Sequence, residues 1–525
     1  GHGTVIDLND SHLKARGGEG AIYIKNKTVY KICDVGKMIP EGKFRELSVL
    51  DHKKIIKPEE VILDKHKTPV GYTMKLVDNA IPLAQILTKV YREREGVTLN
   101  DILNLVQQMR DGIEHIHQKK ILQVDGNEFN YMVTNDYKDI YFIDVNSYET
   151  PSYPAEVLMQ SIRDWHVEVR NGRNIWTELS DWFSFAVLSF NMFIGMHPYK
   201  GRNPKFSNIK TLMMDQMKAH VSVLNPETTY PMAAVYPLTV IPDAYMNWYK
   251  AVLEQGKRLP PPRDFTSKIE FIAQIKKIVG SNNFSIVELF DFEEQIVGFL
   301  NKFNKEIVIT KSKIYIKRKK KNKPNVKHLR IAVTPVNRAA LAVWIEDEIV
   351  RIKNLETDEE LSSCGGGTEM MSSEGRVYIK SDLRIYELVF IEAGSAIIPS
   401  AKIVTDVPEH GTQLFQGVAF LNLFNGIFGC FFPESGYCYQ SAIPELNGYK
   451  LVDAKCEKQV LIVIGLKDGK YDRFVMRFSK DWSEYDVRKV ENINFTGLNF
   501  TVLDNELCVS LNEEEEIEIF SGKKD

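Results

Sequence analysis

The sequence changes its periodicity after three consecutive prolines, Pro260 to Pro262, and this change limits the fold more than any other feature. Before the prolines, short apolar runs alternate with long stretches in which apolar residues recur every three or four positions. From about residue 275 onward, short β-rich runs are separated by Gly, Asn, Asp and Ser. Helices need the first periodicity and strands the second. The chain therefore predicts an α+β region followed by an all-β region.

Three segments of the first region have the pattern of helices. Apolar residues recur at helical spacing from Leu99 to Ile116, which predicts an amphipathic helix. The stretch from Ser180 to Met196 is apolar on nearly every side, which predicts a buried helix. A third helix is expected between Val240 and Gly256.

The second region contains six similar units, each a strand, a tight turn and a second strand. The units begin near residues 304, 338, 374, 425, 458 and 505. Their mean spacing of about 40 residues is that of β-propeller blades, so we expect a five- to six-bladed propeller. Because the spacing is irregular and no WD or kelch signature is present, a β-sandwich or a double β-domain remains the alternative.

Charge and cysteine usage limit the partners and the cellular compartment that we expect for the protein. The 67 basic and 70 acidic residues give a net charge of -3, so nucleic acid and anionic membranes are not expected as partners. No apolar run reaches about 18 residues, so no membrane-spanning helix is expected. Six scattered cysteines without C-x-x-C spacing favour free thiols in a reducing, cytoplasmic setting. Residues 1–4 resemble an expression scar.

A glycine-rich turn near the start of the chain precedes a lysine-bearing strand. Gly17, Gly18 and Gly20 would let the backbone N–H groups approach a polyphosphate, although a plain hairpin could have the same residues. The following hairpin carries Val29, Tyr30 and Lys31 on its second strand. A lysine at this position after a glycine loop matches the V-A-I-K element that contacts nucleotide phosphates.

Two further polar motifs follow in order. Asp125 and Asn130 have the spacing of the H-R-D-x-x-x-x-N pattern, and Asp144 ends an apolar strand 19 residues after Asp125. A carboxylate can orient a hydroxyl for phosphoryl transfer, and carboxylate and amide oxygens are ligands that Mg²⁺ accepts.

The ordered motifs between residues 11 and 262 resemble a Hanks-type (eukaryotic-like) Ser/Thr protein kinase domain. The Gly17–Gly20 loop, Asn127-x-x-Asn130 and His197-Pro198 resemble in particular the divergent bacterial or phage-like kinases that carry C-terminal helix-hairpin-helix modules. The resemblance implies an α+β bilobal fold with an N-lobe at 5–78 and a C-lobe at 79–270. The β-propeller-like domain would then span 271–525.

The resemblance also implies roles for individual residues. The residues that it assigns to ATP are Gly17, Gly18, Gly20, Val29, Lys31, Glu46, Met74, Lys75, Leu76 and Met132. Catalysis would use Lys31, Asp125 and Asn127, and Mg²⁺ or Mn²⁺ would bind Asn130 and Asp144. Glu46 would pair with Lys31, with Glu41 as the competing choice. Asp181 would brace the catalytic loop, and Glu156 would form a structural ion pair with Arg258.

Several positions depart from the family pattern. Gln123 and Val124 replace the His and Arg of the catalytic loop, Asn127 replaces the lysine that contacts the γ-phosphate, and Val145 and Asn146 replace Phe-Gly. We therefore expect an ATP- and Mg²⁺-dependent Ser/Thr protein kinase whose propeller binds a protein substrate or partner. A nucleotide-binding pseudokinase scaffold is the alternative, and transfer of AMP is a third hypothesis.

Overall fold

The computed structural model describes residues 5–155, 158–206, 212–263, 265, 289–292, 294–423, 426–493, 497–503, 507–511 and 517–520. The predicted scar at residues 1–4 and the predicted boundary between 270 and 271 lie outside these ranges. Glu156 also lies outside the described residues. Strands and helices are numbered below in chain order.

The N-terminal region begins with a five-stranded antiparallel sheet. Its strands are β1 (Leu13–Gly17), β2 (Gly20–Lys25), β3 (Thr28–Cys33), β4 (Val61–Leu63) and β5 (Pro69–Lys75). They lie in the order β1-β2-β3-β5-β4, and a short helix α1 (Glu41–Leu47) connects β3 to β4. The sheet places Lys31 in its centre, opposite Ile22 on one neighbour and Tyr72 on the other.

Helices dominate the rest of this region. They are α2 (Lys89–Glu95), α3 (Leu99–Gln118), α4 (Glu178–Ile194), α5 (Leu212–Ala219) and α6 (Asp243–Tyr249), which a π-helical turn (Lys250–Glu254) extends. A small sheet contains β6 (Ala80–Pro82), β7 (Tyr131–Thr134) and β8 (Ile140–Phe142), and a hairpin contains β9 (Val169–Arg170) and β10 (Arg173–Asn174). No helix in the described ranges is long and apolar enough to cross a lipid bilayer.

Local chemistry explains where the two long helices begin and end. Thr98 caps α3 by accepting from the Asp101 backbone N–H, and the Asp101 side chain accepts from the Thr98 N–H in return. Thr177 caps α4, and Gly195 ends it in a left-handed conformation at φ +85°. Fourteen residues of α4 are buried, as its apolar composition predicts. The three predicted helices are confirmed to within a few residues.

Within the described residues, the C-terminal region is all β and contains six antiparallel sheets that follow one another along the chain. In each sheet the spatial order of the strands equals their order in the sequence. The first two sheets contain β11 (Ile296–Lys302), β12 (Lys305–Thr310), β13 (Lys313–Ile316) and β14 (Lys319–Asn322), then β15 (Arg330–Val333), β16 (Ala340–Glu346), β17 (Ile349–Asn354) and β18 (Glu360–Leu361). The next two contain β19 (Glu369–Ser373), β20 (Arg376–Ser381), β21 (Arg384–Ala393) and β22 (Ala396–Asp406), then β23 (Thr412–Phe415), β24 (Val418–Leu423), β25 (Gly426–Phe431) and β26 (Tyr439–Ala442). The last two contain β27 (Lys450–Glu457), β28 (Val460–Lys467), β29 (Lys470–Phe478) and β30 (Tyr485–Val490), then β31 (Phe500–Val502), β32 (Cys508–Leu511) and β33 (Ile517–Phe520).

Buried apolar side chains join each sheet to the next. Ile307 of the first sheet and Ile331 of the second belong to one apolar cluster, and Leu341 and Val377 belong to the cluster between the second and third sheets. Similar clusters bridge the remaining consecutive pairs. The core of this region is therefore a series of layers between consecutive sheets.

The two regions contact each other through a buried ionic cluster around Glu95, the last residue of α2. The two guanidinium nitrogens of Arg330 each donate to the Glu95 carboxylate at 3.0 Å, and His328 Nδ1 lies 2.9 Å from it. Arg94 Nε donates to the same carboxylate at 2.8 Å and its guanidinium also lies 3.7 Å from Asp453. Residues from both regions thus form one charged cluster. Neither region alone supplies all the charge partners of this cluster.

Candidate active site

A cleft of about 3820 Å³ extends from the N-terminal sheet across the small β6–β8 sheet to the C-terminal region. Sequence-predicted residues that are far apart in the first region line the same cleft. Those that line it are Gly17, Gly18, Gly20, Val29, Lys31, Met74, Lys75, Leu76, Asp125, Asn127, Asn130, Met132 and Asp144. Of the predicted nucleotide, catalytic and metal residues, Glu46 does not line it.

The glycine turn between β1 and β2 leaves its backbone open to this cleft. A Cβ atom on Gly17 or Gly18 would have no protein atom within 4 Å. Gly20 has a different role, because it lies at φ +151° and a Cβ there would lie 2.1 Å from the Ile32 carbonyl oxygen of the adjacent strand. The first two glycines therefore allow a ligand to approach, and the third allows β2 to pair with β3.

Lys31 is the centre of a charged cluster at the base of the cleft. Its Nζ atom donates to Glu19 Oε2 at 2.9 Å and to Asp144 Oδ1 at 3.3 Å, and the carboxamide oxygen of Asn146 accepts from it at 3.3 Å. Burial alone would lower the pKa of Lys31, but Asp144, Tyr72 and Glu19 raise it above its usual value. Lys31 is therefore a permanent buried cation held by two carboxylates.

Glu46 does not form the ion pair with Lys31 that the sequence predicts. Its carboxylate accepts from the backbone N–H of Ser152 at 3.1 Å. Hydrogen bonds from Ser152 and Thr150 hold the pKa of Glu46 below its usual value. The competing choice, Glu41, pairs with Arg45 on the surface of α1. Lys31 pairs with Glu19 instead. The position of this carboxylate inside the glycine turn was the only sequence signal for it.

Asp125, Asn127 and Asn130, the residues of the predicted catalytic loop, form a compact hydrogen-bonded unit. Asn127 Nδ2 donates to Asp125 Oδ2 at 3.0 Å, and the backbone N–H of Met159 donates to Asp125 Oδ1 at 2.9 Å. Asn130 Nδ2 donates to the Asp125 carbonyl oxygen at 2.7 Å. Burial raises the pKa of Asp125, although the two hydrogen bonds to its carboxylate oppose the effect. The unit fixes a carboxylate that faces the cleft.

Asp181 on α4 braces this loop, as the family resemblance implies. Its carboxylate accepts from the backbone N–H groups of Gln123 and Val124, both at 2.8 Å, and lies 2.9 Å from His117 Nε2. Val124 has φ +58°, which is a strained conformation for a β-branched residue and costs on the order of 1–3 kcal/mol. The carboxylate of Asp181 therefore holds the backbone in the conformation that points Asp125 into the cleft.

Asn130 and Asp144 are the two residues that the family resemblance assigns to a metal ion. The strands β7 and β8 bring them together, and the backbone N–H of Ile143 donates to the Asn130 carbonyl oxygen at 2.9 Å. Because the Asn130 amide nitrogen is held by the Asp125 carbonyl, its side-chain oxygen is oriented as an acceptor. A carboxylate oxygen and an amide oxygen are ligands that Mg²⁺ accepts. In proteins Mg²⁺ usually keeps several water ligands and also binds substrate phosphates. Among the described residues, no group of three His, Cys, Asp or Glu side chains forms a fuller metal site.

Arg258 forms a buried ion pair with Asp164, which the sequence analysis did not single out. Its Nε and Nη2 atoms donate to the two carboxylate oxygens at 2.6 and 2.7 Å. Glu156, the partner predicted for Arg258, lies outside the described residues. No local sequence signal marks Asp164, because its partner is 94 residues away. The pair fixes the chain between the candidate catalytic loop and α4.

Apolar residues from two sheets line the same cleft. Val29 on β3 lies opposite Met74 on β5 in the sheet register, and Met132 on β7 lines the same cleft from the other side. Lys75 is exposed at the end of β5, where its Nζ lies 3.8 Å from Glu59. The arrangement provides an apolar slot above the charged cluster of Lys31.

Comparisons with known proteins assign no family to the chain. No protein-family model matches it, and no curated protein matches it at a significant level. The interpretation of the cleft therefore rests on its own residues and their geometry.

Proposed function

We propose that the protein is an ATP- and Mg²⁺-dependent protein kinase that transfers the γ-phosphate to a Ser or Thr hydroxyl. One observation carries the proposal: Lys31 and Asp144, 113 positions apart in the chain, lie 3.3 Å apart at the base of a cleft that also contains Asp125 and Asn130. A phosphate-binding cation, two metal-ligating oxygens and a carboxylate for the acceptor are the parts that phosphoryl transfer needs.

The nucleotide would lie between the glycine turn and the β7 strand. Its adenine would enter the apolar slot between Val29 and Met132, and its phosphates would extend toward Gly17 and Gly18, whose surroundings are open. Lys31 would then bind phosphate oxygens in place of Glu19. The buried position of Lys31 strengthens this attraction, because water screens a buried charge less.

A metal ion held by Asn130 and Asp144 would neutralise charge on the phosphates as it develops. Asp125 would orient the acceptor hydroxyl and receive its proton. The raised pKa of Asp125 brings this carboxyl closer to the working range of a general base than an ordinary aspartate. Asn127 keeps the carboxylate in one orientation through its 3.0 Å hydrogen bond.

For the C-terminal region we propose a six-bladed propeller that binds a protein partner. Six consecutive meandering sheets, joined face to face by apolar clusters, support this reading over a two-sheet sandwich. A sandwich would bury one face of each sheet against a single partner sheet, whereas here the middle sheets pack on two neighbours.

A second candidate, a pseudokinase scaffold, is favoured by the chemistry around Asp125. Both of its carboxylate oxygens are already hydrogen-bonded, and Asn127 supplies no positive charge where the family pattern has a lysine. In this reading the cleft would bind nucleotide without transferring phosphate, and the role of the protein would be partner binding.

A phosphotransfer assay separates the two candidates. The purified full chain is incubated with radiolabelled ATP and Mg²⁺, alone and with a generic Ser/Thr protein substrate. We expect incorporation by the wild type and its loss in Lys31→Met, because this change removes the phosphate-binding cation. The matched control is Lys25→Met on the neighbouring strand, whose side chain bonds the Asp7 carbonyl away from the cleft. Nucleotide binding without any incorporation would support the scaffold.

A further inference from the structure

The outer side of the candidate catalytic loop is covered by the C-terminal region. The Tyr471 hydroxyl donates to the carboxylate of Glu128, and Lys450 Nζ lies 5.2 Å from the ring centroid of Phe129. Gly469, at the turn between β28 and β29, approaches Met159 so closely that a Cβ atom there would lie 3.2 Å from Met159 Cγ. Three residues of the second region thus touch three residues next to Asp125.

These contacts place the β28–β29 turn at the acceptor side of the cleft. The backbone of Met159 donates to the Asp125 carboxylate, and residues 466–470 line the same cleft as Asp125. The nucleotide side of the cleft lies elsewhere, against the glycine turn and Lys31. A substrate whose hydroxyl reached Asp125 would therefore lie against this turn.

The surface around the turn is basic. Lys450, Lys467 and Lys470 are exposed, and no carboxylate pairs with them in the described part of the chain. Lys200 Nζ lies 5.1 Å from the ring centroid of Tyr471. Asp468 is the exposed acidic residue within the turn itself. The Glu128 carboxylate is buried and bonded to Tyr471, so it offsets little of this charge at the surface.

We propose that the acceptor is an acidic polypeptide segment, with Asp or Glu residues beside the phosphorylated Ser or Thr, and that Lys450, Lys467 and Lys470 select it. This inference rests on the proposed kinase function and adds the substrate class. Lysine ammonium groups on flexible side chains suit carboxylates at several spacings, whereas bidentate phosphate recognition favours arginine. The chain's net charge of -3 does not favour a polynucleotide.

The test compares matched peptides with the full-length protein. One Ser-containing peptide has Asp and Glu flanks, a second has Ala and Gly flanks, and a third has Lys and Arg flanks. We expect the highest kcat/KM for the acidic peptide. Reversing the three charges in Lys450→Glu, Lys467→Glu and Lys470→Glu should lower kcat/KM for this peptide by about tenfold or more, because each exposed pair contributes a few-fold. The neutral peptide should be almost unaffected.

The control variant carries Lys65→Glu, Lys319→Glu and Lys320→Glu, which reverse three exposed lysines outside the cleft and should leave the preference unchanged. Equal transfer to all three peptides would overturn the substrate class and leave the kinase function intact. Transfer to none of them, nor to the protein itself, would overturn both. Stronger inhibition by a polynucleotide than by an unphosphorylatable acidic peptide would also overturn the acidic-polypeptide assignment.

Discussion

Glu19 is the residue whose position most affects how the cleft would bind a ligand. It belongs to the glycine turn, yet its carboxylate lies 2.9 Å from Lys31 Nζ. Burial acts to raise the pKa of Glu19, but Lys31 and Asn146 hold it below its usual value. The carboxylate is therefore charged, and it would compete with the phosphate oxygens of a bound nucleotide for the same cation. Binding of a nucleotide would have to displace it.

A substitution at Glu19 should strengthen nucleotide binding. Glu19→Gln removes the competing negative charge, so we expect the Kd for Mg²⁺-ATP to fall by about two- to fivefold, since Glu19 is half-exposed and the pair is partly screened. Titration with a fluorescent ATP analogue measures this change. Glu46→Gln is the matched control, because Glu46 bonds Ser152 and should have no effect. If the Kd for Mg²⁺-ATP changed in Glu46→Gln and not in Glu19→Gln, Glu46 would be the partner of Lys31.

At single positions, the ordered spacing of the motifs predicted the residues of the cleft. Ion pairs between residues far apart in the sequence could not be predicted. Lys31, Asp125, Asn130 and Asp144 were identified from local motifs, and the structure brings all four to one cleft. The ion pair between Arg258 and Asp164 could not be predicted in this way. It depends on how distant segments pack, and any of several carboxylates would have satisfied the same sequence pattern.

At the scale of elements, α4 is the support on which the candidate catalytic loop rests. Its first turn is capped by Thr177 and presents Asp181 to the backbone of Gln123 and Val124. The apolar composition of α4 made its burial predictable. Its polar contact with the loop was expected only through the family resemblance, because periodicity says nothing about which buried carboxylate meets which backbone group.

Removal of this brace should destabilise the protein and distort the loop. Asp181→Ala leaves two buried N–H groups without an acceptor, so we expect the free energy of unfolding to fall by about 2–4 kcal/mol. Denaturant unfolding followed by tryptophan fluorescence measures this loss. Glu178→Ala, an exposed change in the same turn of α4, should alter stability by less than about 0.5 kcal/mol. Equal effects of the two variants would contradict the brace.

Among the β elements, the sequence predicted the hairpins but did not predict the short edge strands. The two strands of each of the six predicted strand-turn-strand units form an antiparallel pair within one sheet, for example β12–β13 and β28–β29. The predicted starts at 425 and 505 and the turn of the last unit lie outside the described residues. The remaining strands were not resolved from the sequence, because short edge strands such as β18, with only two residues, carry almost no periodic signal.

At the scale of the whole molecule, the charged cluster around Glu95 holds the two regions together. Burial acts to raise the pKa of Glu95, but Arg330, His328 and Arg94 lower it well below its usual value. A depressed carboxyl pKa stabilises the folded state above the unfolded value, and this contribution is lost as pH falls through the folded value. The contact between the regions should therefore persist at neutral pH and weaken in strong acid.

Breaking the cluster should uncouple the two regions. Glu95→Ala leaves Arg330 without its carboxylate and leaves Arg94 with Asp453 alone, which should cost about 3–5 kcal/mol. In calorimetry at neutral pH we expect the variant to unfold at a lower temperature than the wild type, with a separate transition for each region. Glu178→Ala again provides a control outside the contact. A variant that unfolded as the wild type does would show that the cluster does not couple the regions.

We propose that Lys31, Asn130 and Asp144 form a working phosphotransfer site with Asp125. The sharpest test of this proposal is intact mass spectrometry of the full chain after incubation with ATP and Mg²⁺, beside Asp144→Ala treated identically. We expect that the wild type, or a protein substrate added to it, gains the mass of one or more phosphoryl groups and that the variant produces no gain. Phosphoryl gain that survived in Asp144→Ala, a gain of AMP instead, or no gain in any wild-type sample would contradict it.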